Sequence, residues 1–299
     1  AARYWVGGTA SWDAIAGTKW ATTSGGAGGA AVPTSTDDVF FDAASGSGTV
    51  TVTVANPAQS LNFTGFTGTF AGTFALTLSG SLTLASGMTY TYSANITFNA
   101  TATITTAGMS LANNVTISAT GGTVTLADAL TTSGTLSLTA GTFSTGASGY
   151  SLTCQQFDSS GLGVRAIQLN GSTVTCTTTG AGWSTSTTTN LTFTAGTSTI
   201  ILSANGATFA GGGLTFNNVS FTFASYSSSN MSITGANTFN TLTLTSPSTN
   251  PNTYLFSANQ TITTLVCAGG SAIQRLFLAS SAFGIQRTLT VGTYSSIAD

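Results

Sequence analysis

Glutamate and histidine are absent from this 299-residue chain, and its seven acidic residues are all aspartate. Charged side chains make up only 4% of the sequence, against roughly 25% in ordinary soluble domains. General acid–base catalysis relies mainly on His and on Glu or Asp with shifted pKa values. The composition therefore predicts that the protein is not an enzyme and that it carries no cofactor and no metal.

Clusters of Lys and Arg are also missing, and the formal net charge is −2. Nothing in the sequence can neutralise phosphates or anionic lipid headgroups, so we expect no nucleic-acid partner. Thr or Ser interrupts every hydrophobic stretch, which excludes a run of about 18 apolar residues and with it a transmembrane helix. The first residues lack the apolar region of a signal peptide. We therefore expect no membrane insertion, and export by another route or through a segment outside this sequence.

What the chain does contain is hydrophobicity without charge: 41% of its residues are hydrophobic and 10% are aromatic, which is too much for a disordered chain. Thr and Ser are abundant, and there are 36 Gly but only four Pro. Thr favours strands and Gly favours turns. No amphipathic 3.6-residue pattern of any length is present. These features predict an all-β fold.

From residue 49 onward the sequence is a series of short alternating segments separated by Gly, Ser, Asn or Ala turns. Alternation of this kind is typical of strands with one buried face. The segments are Val50–Val52, Leu76–Leu78, Leu82–Leu84, Tyr90–Tyr92, Ile96–Phe98, Val115–Ile117, Val124–Leu126, Leu136–Leu138, Leu191–Phe193, Leu214–Phe216, Phe221–Phe223, Met231–Ile233, Leu242–Leu244 and Leu289–Val291.

Strands this short fit poorly in a β-sandwich, but they fit a solenoid in which each coil stacks on the previous one. The leucines at 191, 214, 242, 265 and 289 recur at intervals in the twenties, which is a usual period for repeat architectures. We predict a right-handed parallel β-solenoid (β-helix) over residues 49–299, with about 11 coils. Its last coil would be an aggregation-prone edge, so we expect that end to be covered.

Asparagines precede several of these segments. Asn95, Asn114, Asn190 and Asn240 are predicted to occupy corners of the solenoid in the left-handed conformation, which Asn tolerates better than most residues.

The cysteines give an independent check on the period. Cys154 and Cys176 are 22 residues apart in similar segments, and Cys267 lies close to four periods further along. Stacked coils are about 4.8 Å apart, so Cys154 and Cys176 should share one inward column on neighbouring coils. Two interpretations stay open: a disulfide, which this spacing permits, and two buried thiols, which the sequence favours.

Residues 1–48 differ from the rest and are predicted to form an N-terminal cap or docking segment. They contain Trp5, Trp12 and Trp20 and a Gly-rich stretch at 25–29. The tryptophans could stack on sugar rings, but the core of a small cap is the favoured interpretation.

Three aspartates lie close together near the end of this segment, at Asp37, Asp38 and Asp42. They could bind calcium, since hard cations prefer carboxylate oxygens. Hydrogen bonding in turns is favoured, because the segment lacks the ligand spacing of calcium loops.

Asp128 and Asp158 are the acids within the solenoid body, apart from the last residue, Asp299. Two carboxyl groups about 5–9.5 Å apart can cleave polysaccharides. Their spacing is not one period, so they could meet only if the coil between Thr139 and Asn170 is enlarged. That segment does break the alternating pattern. A glycan-degrading tailspike is therefore the one enzymatic alternative, and not the favoured one.

The N-terminal segment resembles a known motif. The residues that carry the resemblance are Tyr4–Gly8, Trp12–Asp13, Lys19–Trp20, Gly25–Gly29 and Val32–Asp42. They resemble the opening segment of repetitive structural proteins of tailed bacteriophages, which are described as tail-fibre or virion proteins. A looser form of the pattern opens passenger repeats in autotransporter-like bacterial adhesins. The similarity is specific over about 45 residues. Beyond them the chain resembles these proteins only in its general character.

The resemblance implies a β-solenoid at the surface of a virion, where its partners would be other virion proteins. We also expect a homo-oligomer, with a trimer as one option because fibres are often trimeric, and contact with a glycan or receptor on the host surface. The alternative is an extracellular bacterial adhesin or surface filament subunit. The end of the sequence offers no obvious terminal cap, so we expect the chain to be one part of a longer polypeptide.

Overall fold

The computed structural model describes residues 1–222, 229–246, 252–268 and 275–297. These residues form 32 β-strands and one 3₁₀ turn, and the strands build a parallel β-solenoid of about 10 turns. The predicted fold class is confirmed. Right-handedness and the N-terminal cap stay predictions, as do the boundaries 1–48 and 49–299. The chain divides into two compact units, residues 1–146 and residues 147–299, which are described separately below.

Unit 1 contains 17 strands and the 3₁₀ turn η1. They are β1 (Ala2–Trp5), β2 (Ala10–Trp12), β3 (Trp20–Ala21), β4 (Asp38–Phe40), η1 (Ala43–Ser45), β5 (Thr49–Val52), β6 (Asn56–Ala58), β7 (Ser60–Asn62), β8 (Thr69–Gly72), β9 (Leu76–Leu78), β10 (Leu82–Thr83), β11 (Thr89–Tyr90), β12 (Ile96–Phe98), β13 (Ala102–Thr105), β14 (Ser110–Leu111), β15 (Val115–Leu126), β16 (Leu130–Thr132) and β17 (Thr135–Ser144).

Most strands of unit 1 stack in three parallel columns. One column consists of β2, β5, β8 and β11. A second consists of β6, β9, β12 and the first halves of β15 and β17. The third consists of β1, β4, β7, β10, β13 and the second halves of β15 and β17. Successive coils therefore lie in register, one strand above the next.

The second column shows why this sequence forms a solenoid. Leu76, Ile96, Val115 and Leu136 are successive partners and are at most 1% exposed. Burial of each such side chain contributes about 2 kcal/mol, which a single isolated coil could not gain. The Thr or Ser that follows each of them points to the other side of the strand and is partly exposed.

Unit 2 contains the remaining 15 strands. They are β18 (Leu152–Cys154), β19 (Gln156–Asp158), β20 (Arg165–Gln168), β21 (Thr173–Cys176), β22 (Gly180–Ser184), β23 (Leu191–Thr194), β24 (Thr199–Leu202), β25 (Ala207–Ala210), β26 (Thr215–Phe221), β27 (Met231–Thr234), β28 (Thr238–Thr245), β29 (Asn252–Phe256), β30 (Gln260–Ala268), β31 (Leu276–Ser280) and β32 (Leu289–Ile297).

Unit 2 repeats the same arrangement. One parallel column consists of β18, β21, β24 and the second halves of β26, β28, β30 and β32. Another consists of β19, β22, β25, β27, β29 and β31. On the remaining side β20 pairs with β23, and the first halves of β26, β28, β30 and β32 pair with one another.

Most of the predicted segments are strands, with a few corrections. The strand at Tyr90 ends at that residue, and Leu214 precedes β26 rather than belonging to it. Phe223 lies outside the described residues. The strands are also not all short, since β15 spans 12 residues and β17 spans 10, each continuing around a corner.

The leucine spacing predicted the register only in part. Leu242 and Leu265 are partners on successive coils, as expected. On the next coil, however, the register partner of Leu265 is Tyr294 and not Leu289. The partner of Leu191 is Arg165. The reason is that the corners differ in length, so no single period holds along the chain.

The predicted left-handed conformation is wrong for three of the four corner asparagines. Of the four, only Asn190 has a positive φ. Asn95 and Asn114 instead use their side chains to bridge coils: the Asn95 Oδ1 accepts from the Thr116 hydroxyl at 3.1 Å, and the Asn114 Oδ1 accepts from the Thr135 N–H at 2.9 Å. An amide side chain can make hydrogen bonds at a corner, so the backbone there does not need the strained left-handed conformation.

Candidate functional site

The three tryptophans of the N-terminal segment form a closed aromatic core. Trp5, Trp12 and Trp20 are each 0% exposed. Trp20 meets the other two edge-to-face, with ring centroids 5.0 Å and 5.3 Å apart, and all three contact Phe41. Rings packed in this way are not accessible to a sugar, so the tryptophans belong to the core, while the cap itself stays a prediction.

Asp37 joins three parts of the N-terminal segment. Its carboxylate accepts from the Thr34 N–H at 2.9 Å and from the Thr34 hydroxyl at 2.7 Å. It also lies 3.0 Å from the N-terminal ammonium group and 3.7 Å from the Arg3 guanidinium. Burial would raise the pKa of Asp37, but the hydrogen bonds and the two cations outweigh it and lower the pKa to about 2.

The other two aspartates of this group also serve turns and strands. Asp38 accepts a hydrogen bond from the Ser60 hydroxyl at 2.5 Å on the neighbouring strand, and Asp42 caps η1 by accepting from the Ala44 N–H at 2.9 Å. The favoured interpretation, hydrogen bonding in turns, is confirmed for Asp37 and Asp42. Within the described ranges, no three His, Cys, Asp or Glu side chains are grouped so that they could hold a metal ion.

Asp128 and Asp158 each have a local role in a different unit. Asp128 accepts from the backbone N–H groups of Thr106 and Ala107, both at 2.7 Å, and so supports a turn on the preceding coil where Ala107 has a φ of 51°. Asp158 accepts from the Ser160 N–H at 3.3 Å. Hydrogen bonds of this kind hold the corners of the coils.

Arg165 is a residue whose role the sequence analysis missed. It is 1% exposed and begins β20. Its guanidinium donates to the carbonyls of Gly163, Thr187 and Thr189 at 2.9–3.0 Å, and to the carbonyl of Ser159. Burial lowers its pKa, and the negative charge of Asp158 opposes that shift. One sequence signal could have pointed to it: Arg165 is a rare charged residue, and it lies in the segment between Thr139 and Asn170 that breaks the alternating pattern.

Arg165 fixes the corner that the sequence identified as irregular. Its donors are used by carbonyls of residues 159–163 and of 187–189, which occupy the same corner on successive coils. The corner exposes Leu162 and Val164, which are 70% and 73% exposed. The side chain is thus engaged in holding loops together, and its donors are not directed at a ligand.

The cysteine column is as predicted. Cys154 and Cys176 are register partners on neighbouring strands, and both are 0% exposed. Continuing through Leu202, Phe221 and Leu244, the same column reaches Cys267 four coils later. The structure records the cysteines as thiols.

The outward face of the same strands carries a row of uncharged polar side chains, five Thr and one Asn. The row consists of Thr173, Thr199, Asn218, Thr241, Thr264 and Thr293, which are successive partners. Neighbouring members are about 4.8 Å apart, the usual spacing of paired strands. This row can make hydrogen bonds at regular intervals without charge.

No family model matches the chain, and neither the curated proteins nor the solved structures contain a match. In the described residues there is no helix with the length and hydropathy needed to span a bilayer.

Proposed function

We propose that the protein is a structural component of a bacteriophage virion, either a tail fibre or a surface decoration protein. In this proposal it acts mechanically, not as an enzyme, and it lies at the virion surface. Its partners are other virion proteins and further copies of itself, with a trimer as one arrangement, and a glycan or receptor of the host surface.

The observation that carries the mechanical role is the register of the coils. Strand after strand pairs in parallel with its equivalent, and large apolar side chains fill the interior of each unit. In such a fold each coil is stabilised by its neighbours, which makes the stack stiff. The Thr and Ser of the outer face keep it soluble with few charges. The resemblance of residues 4–42 to phage structural proteins supports the assignment to a virion.

Immunogold electron microscopy of purified particles of the encoding phage tests this proposal. Antibody raised against the chain should label the tail or the surface of wild-type particles, and particles from a mutant with an early stop codon should stay unlabelled. Labelling confined to the envelope of bacterial cells would favour the adhesin alternative and would overturn the virion assignment.

Polysaccharide cleavage tests the non-enzymatic part separately. The wild-type chain and an Asp128→Ala, Asp158→Ala variant should both leave host surface polysaccharide intact, because both carboxylates bind backbone N–H groups in turns. Cleavage by the wild type that the double variant loses would show a tailspike enzyme instead.

A further inference from the structure

One side of unit 2 has a break in its column of strands, in the middle of the solenoid. β23 pairs with β20 on the preceding coil, and on the following coil the first half of β26 pairs with β28. Within the described residues, β23 and β26 do not pair with each other. The other two sides continue across the same coils, from β21 to β24 and β26 and from β22 to β25 and β27. This interruption, between residues 191–194 and 215–216, is termed the β23 break.

The side chains of β23 show that the break is open. Leu191 and Phe193 point inward, because their partners on β20 are Arg165 and Ile167, which are 1% and 0% exposed. Leu191 and Phe193 are nevertheless partly exposed. In a continuous column the next strand covers such positions, as β23 itself covers Ile167. The inward side of β23 therefore lacks part of its cover.

The backbone of β23 also has groups that face the break. The Asn190 carbonyl accepts from the Arg165 N–H of the preceding coil at 2.8 Å. The Thr194 carbonyl accepts in the same way from the Leu169 N–H at 3.0 Å. Backbone groups alternate in direction along a strand, so the N–H and C=O of Phe193 point the other way, towards the break. An open edge of this kind is a template for an added strand.

Apolar side chains lie around the break. Leu162 and Val164 are 70% and 73% exposed and belong to the loop beside the start of β23, where the Asn190 side chain donates to the Leu162 carbonyl at 3.0 Å. On the far side Leu214 is partly exposed. The Arg165 guanidinium is buried and is occupied by carbonyl groups. A ligand at this place meets hydrophobic side chains and gains nothing from charge.

The interior behind the break is already filled. The rings of Phe193 and Phe216 have centroids 4.9 Å apart, and Phe216 also meets Phe209 with centroids 4.8 Å apart. Phe216 is 1% exposed. An added strand therefore has room for only a small inward side chain next to Phe193.

We infer that the open edge of β23 is a docking site for an extended, uncharged segment of a separate protein, which adds in parallel as the missing strand. The segment would make hydrogen bonds with the Phe193 backbone, cover Leu191 with an apolar side chain, and place a small side chain over Phe193. This inference goes beyond the proposed function and does not depend on a phage origin.

Other ligands fit the break less well. A glycan or a lipid has no row of peptide N–H and C=O groups with which to continue a strand ladder. A charged segment would lose hydration against Leu162 and Val164 without meeting an opposite charge. An uncharged strand satisfies the backbone edge and the apolar side chains together.

Two synthetic peptides test the inference. Both follow residues 189–196, because β23 pairs in register with the similar strand β20, and both carry Ala in place of Phe193. In the control peptide Pro also replaces Thr192 and Thr194. Proline has no N–H, so the control peptide cannot donate to the edge of β23. Each peptide carries a fluorescein label, and its binding to the intact chain is measured by fluorescence anisotropy.

The first peptide should bind at least about tenfold more tightly than the proline control, because the control loses two hydrogen bonds. A Leu191→Ser variant of the chain should bind the first peptide more weakly, since less apolar surface is covered. The matched variant Ile15→Ser, which removes a side chain that is 70% exposed elsewhere, should bind it as the wild type does. A thermal melt followed by circular dichroism checks that each variant is folded.

Hydrogen exchange measured by nuclear magnetic resonance gives a readout at the edge itself. The Phe193 N–H should exchange rapidly in the free chain and become protected when the first peptide is added. The Thr192 N–H, which faces β20, should be protected in both states.

Three outcomes would overturn the inference. The first is that neither peptide binds, or that both bind equally well. The second is slow exchange of the Phe193 N–H in the free chain at low concentration, because the chain itself would then cover the edge. The third is protection that appears only as the chain is concentrated, together with a dimer in sedimentation equilibrium, because a second copy would then occupy the break. Each of these leaves the virion assignment to its own test.

Discussion

At the scale of single residues, the few charges of this chain are used to fix turns and ends. Asp37 is the clearest case, because it is 4% exposed and joins Thr34, Arg3 and the N-terminal ammonium group. Arg165 does the same for a corner of unit 2 through four carbonyl groups and the Ser159 hydroxyl. In a chain with 4% charged residues, these two buried charges therefore hold together segments that are distant in sequence.

Asp37 predicts a specific dependence of stability on pH. Its pKa falls from the ordinary 3.8 to about 2 on folding. The ionised carboxylate therefore stabilises the fold above about pH 4, by about 2 kcal/mol, and this contribution is lost as the pH falls through 2. Asp37→Asn should lower the free energy of unfolding by about 2 kcal/mol at pH 7 and by much less at pH 2, measured by guanidinium denaturation.

The matched control is Asp13→Asn. Asp13 pairs with Lys19 at 2.5 Å but is partly exposed, so its loss should cost less than about 1 kcal/mol. Equal losses for the two variants, or a loss for Asp37→Asn that persists undiminished at pH 2, would contradict the role given to Asp37.

The cysteines predict a count of reactive thiols. Cys154 and Cys176 are fully buried, whereas Cys267 is half-buried and its pKa is raised by burial. In the folded protein at most one thiol should react with Ellman's reagent, and slowly, because little of it is thiolate. Three should react after unfolding without reductant. A Cys267→Ser variant should give none folded and two unfolded, and a single reactive thiol in the unfolded wild type would show a disulfide instead.

At the scale of elements, the coil is the unit that can be added or removed. Thr69 pairs with Thr89 and Phe70 with Tyr90, so residues 69–88 are one complete turn. Removing them would place β11, β12 and β13 on β5, β6 and β7, with similar residues in the interior. We expect this deletion to fold, with β-sheet circular dichroism and a cooperative melt at a moderately lower temperature.

A deletion of half a turn is the control. Removing residues 69–78 brings corner residues into strand positions, and the interior side chains no longer meet. This variant should be insoluble or should unfold without cooperativity. Similar behaviour of the two deletions would mean that the coil is not the structural unit.

How much the sequence predicts is clearest at this scale. Alternation at Leu76–Leu78 or Ile96–Phe98 indicates a strand with one buried side, because a period of two permits little else. The register also follows where equivalent residues recur, as for Cys154 and Cys176. It is not predictable from Leu265 to Tyr294, a step of 29 residues, because the length of a corner is set by tertiary contacts and not by the strands it joins.

The site residues were predictable to different degrees. The burial of Trp5, Trp12 and Trp20 followed from their size and their clustering in a small segment. The role of Asn95 did not, because a corner amide can take a left-handed backbone or bridge two coils, and only the fold decides between them. Arg165 was missed because its carbonyl partners leave no sequence pattern.

At the scale of the whole molecule, the fold relies on repeated uncharged side chains and has few charged ones. In each unit, rows made mostly of Thr and Ser lie on the outside and matching apolar columns lie inside, so the stability comes from stacking. The proposed function follows from the exception to this pattern, the N-terminal segment, which carries the resemblance to phage structural proteins.

The stacking of coils in register is tested most directly by paired spin labels on one outward row. In a variant with its native cysteines replaced by Ser or Ala, labels at Thr77 and Thr97 lie on neighbouring strands, about 4.8 Å apart in Cα position, and labels at Thr77 and Thr116 lie two strands apart, at about 9.6 Å. Continuous-wave electron paramagnetic resonance should show strong dipolar broadening for the first pair and clearly weaker broadening for the second. Spectra without broadening, or with equal broadening for both pairs, would contradict a parallel solenoid.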